Sequence, residues 1–227
     1  QTNDVFQVID ISSSATPTAK GYITGEMGNA SSLVVSGNYA FVADYVGSEI
    51  DIIDISNPSN PVLVSSISDG GGSAPFISNP TDVFLSGNYL YVIDEFGSAS
   101  TTALEIINVS DPRNPIHAGF FKGYTEGVTY FSSPKSLTVQ GKYAYIVNGS
   151  DGANDGLYII DISDPANPRM EGYIRDGDGG ALLDYGFDVE VSGKYAYIAS
   201  IADNALEVID ISDPTNPIHV SSLVDGT

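Results

Sequence analysis

One strand-and-turn motif occurs five times in this chain, at intervals of about fifty residues. Its copies read VIDISSSATP from Val8, IIDISNPSNPV from Ile52, IINVSDPRNPI from Ile106, IIDISDPANPR from Ile159 and VIDISDPTNPI from Val208. A second motif keeps step with it, as SGNYAFV from Ser36, SGNYLYV from Ser86, QGKYAYI from Gln140 and SGKYAYI from Ser192. Two motifs that recur in phase at this period indicate a repeat architecture, in which each unit is one supersecondary structure stacked on its neighbours.

Each repeat unit is predicted to form four short strands, A to D. A glycine turn joins strand A to the tyrosine-rich strand B, because glycine can adopt the positive φ of a tight hairpin. The first motif supplies strand C, and strand D follows its proline turn. In strand C of the last unit, Leu206 and Val208 point to one side while Ile209 and Ile211 point to the other. Both faces are apolar and must be covered, which sheets packed face to face around an axis, a β-propeller, achieve.

The strand count predicts an all-β propeller of four complete four-stranded blades, preceded by an N-terminal half blade of strands C and D. Residues 5–12 read as the C strand and residues 20–24 as the D strand, so we assign residues 1–24 to the half blade and 25–227 to the four blades. These form a single domain or part of a longer propeller chain. The half blade leaves an open edge, whose unpaired N–H and C=O groups attract another strand. Further residues, strand addition by a second subunit, or packing of the half blade as a short fifth blade would each protect it.

A polar residue ends strand C in every copy of the first motif. These residues are Asp10, Asp54, Asn108, Asp161 and Asp210. Such a side chain can accept N–H bonds from the following turn, where proline presets φ. Because five equivalent copies on separate blades cannot converge on one substrate, we interpret these residues as structural rather than catalytic.

The run L-x-V-I-D-I-S-D-P-x-N-P, at residues 206–217, resembles the LVIVD repeat of bacterial and archaeal cell-surface proteins. The resemblance extends over essentially the whole chain, because the C strand, the double-proline turn and the SGxYAY hairpin occur together. The first copy departs from it, with SSSATP in place of SDPxNP. The resemblance implies a propeller and an extracellular or cell-surface location, and it implies no particular chemistry.

The charge of the chain narrows the range of partners. It carries 29 Asp and Glu against 8 Lys and Arg, a formal net charge of −21. Such an acidic surface repels phosphate backbones and anionic lipid, so we expect no nucleic acid partner. We also expect no membrane insertion, because no apolar run approaches the ~20 residues of a spanning helix. The chain contains no cysteine, which excludes thiolate metal sites and cysteine nucleophiles.

The predicted topology places the tight A–B and C–D turns at one end of the propeller and the long, divergent B–C and D–A loops at the other. We call the second end the loop face. We expect it to carry the specific function of the protein, because its variable loops are presented by a rigid frame. Its loops are rich in Gly, Asp and aromatic residues. The aromatic residues are Tyr45, Phe76, Phe96, Tyr124, Tyr130, Phe131 and Tyr185. Two interpretations stay open: these rings line a sugar- or cation-binding surface beside carboxylates, or they fill gaps between blades while the acids solvate the rim.

Two loops on this face resemble calcium-binding segments. Asp176 and Asp178 lie in RDGDGG, and Asp151, Asn154 and Asp155 lie in SDGANDG. Calcium favours such closely spaced oxygen ligands, although neither loop has the twelve-residue EF-hand spacing. The alternative is that both loops are ordinary Gly-Asp turns.

A third set of polar residues occupies one repeat position just before strand A. These residues are Ser32, Asp82, Ser136 and Asp188. Because strand A is innermost, we expect their side chains to ring the mouth of the central channel. They would either hold a cation or ordered water there, or cap the N–H groups at the strand starts.

Three functions are compatible with these patterns. The first is a non-enzymatic, exported module that binds a protein, a glycan or itself through one propeller face. The second is a subunit of an extracellular assembly or filament. The third is a metal-dependent hydrolase or lyase at the channel mouth, but the only two histidines, His117 and His219, fall on the outer strand D of separate blades. We predict no catalytic residue and no cofactor other than calcium.

Overall fold

The computed structural model describes residues 5–68, 77–95, 103–125, 128–149 and 152–225. In these ranges an N-terminal two-stranded sheet is followed by four antiparallel four-stranded sheets, which we number blades 1 to 4. The predicted all-β architecture of four complete blades plus an N-terminal pair of strands is confirmed. Helical structure in the described residues is limited to a 3-10 turn at Asp178–Gly180, in the loop between blades 3 and 4.

The strands of each sheet follow one another in sequence order. The N-terminal sheet consists of β1 (Val5–Asp10) and β2 (Thr18–Thr24). Blade 1 consists of β3 (Ala30–Ser36), β4 (Tyr39–Asp44), β5 (Glu49–Asp54) and β6 (Val62–Ser68). Blade 2 consists of β7 (Pro80–Ser86), β8 (Tyr89–Asp94), β9 (Ala103–Asn108) and β10 (Ile116–Lys122).

A short hairpin of β11 (Tyr124–Thr125) and β12 (Val128–Thr129), which the sequence patterns did not predict, lies in the loop after blade 2. Blade 3 consists of β13 (Pro134–Gln140), β14 (Tyr143–Asn148), β15 (Gly156–Asp161) and β16 (Arg169–Arg175). Blade 4 consists of β17 (Gly186–Ser192), β18 (Tyr195–Ser200), β19 (Ala205–Asp210) and β20 (Ile218–Val224).

The two repeated motifs form the turns at one end of every blade. The glycine of each A–B turn has a positive φ of 56° to 64°, as the hairpin requires: Gly37, Gly87, Gly141 and Gly193. Each motif residue at the end of strand C accepts the N–H of the residue two positions on, at 2.8–2.9 Å: Asp10, Asp54, Asn108, Asp161 and Asp210. The predicted structural role of these residues is therefore confirmed.

A bulge in the C–D strand pair connects each motif turn to the preceding sheet. The register shifts at the same place in the N-terminal sheet and in all four blades. In blades 1 to 3 a residue of strand D beyond this shift then faces the following blade. At Gly119 and Gly172 an added Cβ would lie 2.2 Å from the carbonyl oxygen of Pro165 or Pro214 in that blade. In blade 1 the equivalent residue is Ser65, whose Oγ donates to the Pro112 carbonyl at 2.6 Å. The first proline of the motif thus also docks one blade on the next.

The hydrophobic core is divided among the interfaces between successive sheets. Between blades 3 and 4, for example, Leu157 and Ile159 pack with Ile198 and Ile209, all fully buried. Fully burying one such side chain stabilises the fold by roughly 1.5–3 kcal/mol. The innermost strands β3, β7, β13 and β17 lie side by side, which places the starts of the A strands around a common axis.

The N-terminal sheet packs on the outer part of blade 1. Phe6 and Ile23 contact a buried cluster that includes Met27, Val42 and Ile53. Of the three ways to protect the half blade, the described residues show its packing as a short additional sheet. It leaves the inner part of blade 1 uncovered, and Leu33 and Val35 of β3 are more than half exposed there.

Both faces of every sheet were expected to be covered, but the face of blade 4 that is turned away from blade 3, which we call its outer face, is exposed. Leu206 is 43% exposed and Leu223 is 71% exposed, whereas the equivalent Leu157 and Ile174 of blade 3 are buried by blade 4. A face of a blade is buried only where another sheet packs against it. Within the described residues no sheet packs against the face of blade 4 that is turned away from blade 3.

Candidate functional site

The last residue of strand B anchors the loops at the loop face in blades 1 to 3. In blade 1, Asp44 accepts the N–H groups of Gly28 at 2.6 Å, Asn29 at 3.2 Å and Gly47 at 2.7 Å. In blade 3, Asn148 accepts those of Ser132 and Ser133 at 3.0 and 2.7 Å. The described parts of the D–A loops before blades 1 and 3 are therefore held to their blades by buried side chains.

A group of three carboxylates lies beside this anchor in blade 1. Asp44, Glu49 and Asp51 have carboxylate oxygens within 4.8 Å of one another. The strand register puts all three on one face of the sheet, because Asp44 pairs with Glu49 and Asp51 lies two residues further along β5. Among the described residues this is the one group of three or more acidic, histidine or cysteine side chains close enough to hold a metal ion.

Asp51 is the unusual member of this group. Its residue is fully buried, and neither carboxylate oxygen has a hydrogen-bond partner among the described residues. Burial, followed by the charges of Glu49, Asp44 and Glu26, raises the pKa of Asp51 to about 7. An uncompensated carboxylate in this position is costly, because it loses hydration and gains no partner.

The same position of strand C carries a buried glutamate in blades 2 and 4. Glu105 lies 2.5 Å from Nδ1 of His117, and Glu207 lies 2.9 Å from Nδ1 of His219. The two histidines lie on different blades, as predicted, whereas their glutamate partners were not predicted. The available signal was their joint occurrence: a glutamate two residues after the start of strand C accompanies a histidine at the second residue of strand D in both units.

The two predicted calcium loops are tied together by their own carboxylates. Asp176 accepts the N–H of Leu183 at 2.8 Å, and Asp178 accepts that of Arg175 at 3.0 Å. Asp155 is buried and accepts the N–H of Tyr185 at 2.9 Å. The backbone carbonyl of Asn154 accepts bonds from the Asn148 amide and the Tyr158 hydroxyl. Asp151 lies outside the described residues, and calcium binding at these two loops stays a prediction.

The four residues predicted at the channel mouth do lie together, where they link successive blades. Ser32 donates to Asp82 at 2.7 Å, and Ser136 donates to Asp188 at 3.0 Å. Asp82 also accepts the N–H groups of Val83 and of Leu137 in the next blade, both at 2.9 Å. Burial raises the pKa of Asp82 against the opposing effect of these hydrogen bonds. The N–H capping interpretation accounts for the bonds from Val83 and Leu137, whereas the serine hydroxyls donate to the aspartate of the next blade. The four residues lie within strand A, as its third residue, and not before it as predicted, because each strand begins two residues earlier.

The predicted rim aromatics divide by burial. The prediction that Phe131 lies on the rim surface is wrong, because this residue is fully buried between blades 2 and 3. Its ring packs edge-on against that of Tyr158, with 5.8 Å between the ring centroids. Tyr45, Tyr130 and Tyr185 are half-buried, and Tyr124 is exposed. Phe76 and Phe96 lie outside the described residues. The gap-filling interpretation thus holds for Phe131, because a D–A loop folds back over the core.

Charge is unevenly distributed between the two ends of the propeller. Five of the eight basic residues bind motif aspartates at the turn end: Lys20, Arg113, Lys142, Arg169 and Lys194. The other three, Lys122, Lys135 and Arg175, lie towards the loop face, where Lys135 contacts Glu95 at 2.9 Å. Many acids share that face: Glu26, Asp44, Glu49, Asp51, Asp94, Glu95, Asp155, Asp176, Asp178, Asp184, Asp203 and Asp225. The loop face is therefore the strongly negative end.

The repeat units match a known family model. The model described as the LVIVD repeat matches four times, at residues 27–69, 78–122, 133–176 and 185–225. Each match begins near a D–A loop and ends at the close of a strand D, in agreement with the blades. A search of curated proteins finds no significant match.

Solved structures of similar fold have diverse roles. One is a candidate 6-phosphogluconolactonase from Bacteroides uniformis, with 17% identity and a TM-score of 0.76 over 97% of this chain and 65% of that one. A chain of a nidogen/laminin complex has 15% identity and a TM-score of 0.62 over 92% of this chain and 68% of that one.

The periplasmic gluconolactonase of Pseudomonas aeruginosa has 15% identity and a TM-score of 0.68 over 93% of this chain and 61% of that one. The chain thus spans about two thirds of the length of these structures. At such identities the likeness establishes the propeller fold, which serves both an enzyme and a complex-forming protein. The described residues contain no helix long and apolar enough to cross a membrane.

Proposed function

Because this chain belongs to the LVIVD-repeat family, we propose that it is a non-enzymatic β-propeller module of an exported protein, which binds a basic protein partner through its loop face. The observation that carries this proposal is the segregation of charge. Most basic residues pair with motif aspartates at the turn end, while the described residues of the loop face keep their acids in excess. A field of one sign steers partners of the opposite charge and sets their orientation.

A protein partner is favoured over a glycan by the state of the aromatic residues. Sugar-binding surfaces present flat rings to solvent, whereas among the described rim aromatics only Tyr124 is exposed, Phe131 is buried and the ring of Tyr130 lies 5.7 Å from that of Phe121. An enzymatic role receives little support from the channel mouth. Asp82 and Asp188 are both engaged in hydrogen bonds, and each histidine pairs with a glutamate within its own blade.

The proposal is tested by comparing two charge-matched triple variants. Glu26→Gln, Asp178→Asn and Asp225→Asn neutralise exposed acids on the loop face. Asp111→Asn, Asp164→Asn and Asp213→Asn neutralise as many exposed acids at the turn end and keep their acceptor oxygens. Binding of a fluorescent oligolysine peptide is measured by anisotropy at low salt. The loop-face variant should bind roughly tenfold more weakly than the turn-end variant; equal weakening would contradict the proposal.

A second candidate function, a subunit of an assembly of identical chains, is favoured by the uncovered faces of blades 1 and 4. Leu33 and Val35 at one end and Leu206 and Leu223 at the other present apolar groups that equivalent positions bury elsewhere. If two copies associate head to tail, the uncovered face of blade 4 in one copy would pack against the uncovered face of blade 1 in the other. Self-association should appear in light scattering and be abolished by Leu206→Ser with Leu223→Ser. A monodisperse wild-type monomer would eliminate this candidate.

A further inference from the structure

We propose that blade 1 binds a divalent cation, for which calcium is the best match, between the carboxylates of Asp44, Glu49 and Asp51. The three side chains project from the B and C strands onto one face, and their oxygens lie within 4.8 Å of one another. This site is distinct from the two Gly-Asp loops, of which one lies within blade 3 and the other between blades 3 and 4, and it does not depend on the identity of a protein partner.

The unpartnered state of Asp51 points to a ligand. Asp51 is fully buried, and both of its carboxylate oxygens lack a hydrogen-bond partner among the described residues. Glu49, Asp44 and Glu26 add negative charge around it rather than relieve it. A buried charge is normally paired or bound to a metal, and here the charged groups that act on Asp51 are all acids.

Comparison with the other blades shows what is missing. Glu105 and Glu207, at the position of Asp51, each contact a histidine on the adjacent strand D. In blade 1 the position of these histidines is taken by Leu63, which pairs with Ile53 as His117 pairs with Ile107 and His219 with Ile209. Blade 1 therefore keeps the buried carboxylate, lacks its histidine partner and carries Glu49 where blades 2 and 4 have Ala103 and Ala205. A cation would give Asp51 the partner that histidine gives the equivalent glutamates.

The chemistry of the site suits a hard cation. All three side-chain ligands are carboxylates, which calcium accepts in flexible geometry together with water or backbone oxygens. The N–H bonds from Gly28, Asn29 and Gly47 orient Asp44, as outer-shell bonds orient the ligands of metal sites. Half-buried Glu49, at the start of β5 on the loop face, leaves a path of entry.

The experiment measures calcium binding by the chelator-treated chain, using isothermal titration calorimetry and the melting temperature. Wild type should bind one calcium at this site and melt about 5–10 °C higher at a hundredfold excess over Kd. Asp51→Asn should lose both effects, and its calcium-free form should melt higher than calcium-free wild type, because no buried charge is left unpaired. Glu49→Gln, at the accessible edge, should bind at least tenfold more weakly.

Asp176→Asn with Asp178→Asn serves as the matched control and should retain the binding and the melting shift. Loss of both in this control, with their retention in Asp51→Asn, would overturn the proposal in favour of the Gly-Asp loop. Absence of calcium binding in wild type would also overturn it. If Asp51→Asn does not fold, the proposal is tested by Glu49→Gln alone. A calcium affinity equal to that of wild type in this variant would contradict the site.

Discussion

At the scale of single residues, the motif aspartate is a hydrogen-bond acceptor that holds the start of the C–D turn. In blade 3, Asp161 accepts the N–H of Ser163 at 2.8 Å and the Arg169 guanidinium at 3.1 Å, with Lys142 at 3.7 Å. Its equivalents make the same turn bond in every sheet, which explains why the motif recurs so closely. Hydrogen bonds from Ser163, followed by that from Arg169, hold the pKa of Asp161 down at about 2.

Replacing Asp161 by alanine should lower the free energy of unfolding at pH 7 by about 1–2 kcal/mol, because the turn N–H loses its acceptor. Since the pKa is depressed in the folded state, the ionic contribution is present above the unfolded value of about 4 and is lost as the pH falls through about 2. Urea unfolding at pH 7 and near pH 2 tests both points. Asp161→Asn, which keeps the acceptor oxygen, should lose less at pH 7 than alanine and approach wild type in acid. Equal losses in the two variants at pH 7 would contradict the role of the acceptor oxygen.

At the scale of the element, strand C carries one buried polar position whose partner varies from blade to blade. It is Glu105 in blade 2 and Glu207 in blade 4, each paired with histidine, and Tyr158 in blade 3, whose hydroxyl donates to the Asn154 carbonyl at 2.7 Å. The alternation of strand C leaves this side chain facing the preceding sheet. The partner of this buried polar side chain must therefore come from other residues of the same blade.

Replacing His219 by leucine should destabilise the chain by about 1–3 kcal/mol, because Glu207, with no exposed surface, would lose its hydrogen-bond partner. Replacing both residues by leucine should recover most of that loss, since exchanging both partners of a buried polar contact for apolar groups is often nearly neutral. Denaturant unfolding of the two single variants and the double variant gives the coupling. Additive effects would mean that the contact contributes nothing specific.

At the scale of the whole molecule, the blades dock through the motif turn as well as through their apolar faces. Gly119 and Gly172 allow strand D to approach the carbonyl of Pro165 or Pro214, and Ser65 makes the equivalent contact through a hydrogen bond. The last such residue, Ser221, is exposed, as is much of the outer face of blade 4. The N-terminal sheet provides the corresponding cover for only part of blade 1.

Deleting residues 1–24 should change the oligomeric state of the chain. The deletion uncovers Met27, Val42 and Ile53 on blade 1, and apolar surface of this kind promotes association. Size-exclusion chromatography with light scattering compares the deletion with the full chain, which we expect to self-associate through its uncovered faces. A monodisperse monomer with and without this segment would contradict the prediction.

The repeat determined the local structure of this protein on its own. The period of about fifty residues, the alternation within strands and the glycine and proline turns predicted the four blades, the N-terminal pair of strands and the motif bonds of residues such as Asp210. These features depend on backbone geometry and on contacts between residues close in sequence, which a motif specifies wherever it occurs. The position of Ser32, Asp82, Ser136 and Asp188 at the inner strands followed for the same reason.

Only the tertiary structure decided which polar and aromatic side chains are buried and what surrounds them. In the sequence, Asp51 is indistinguishable from other strand residues. Only the pairing of β4 with β5 shows that it is buried beside Asp44 and Glu49. Phe131 reads as a rim residue until its loop folds over the core, and Leu206 reads as core although no described sheet covers it. Burial depends on residues distant in sequence, so a motif that sets each blade's hydrogen bonds leaves open what its neighbours will cover.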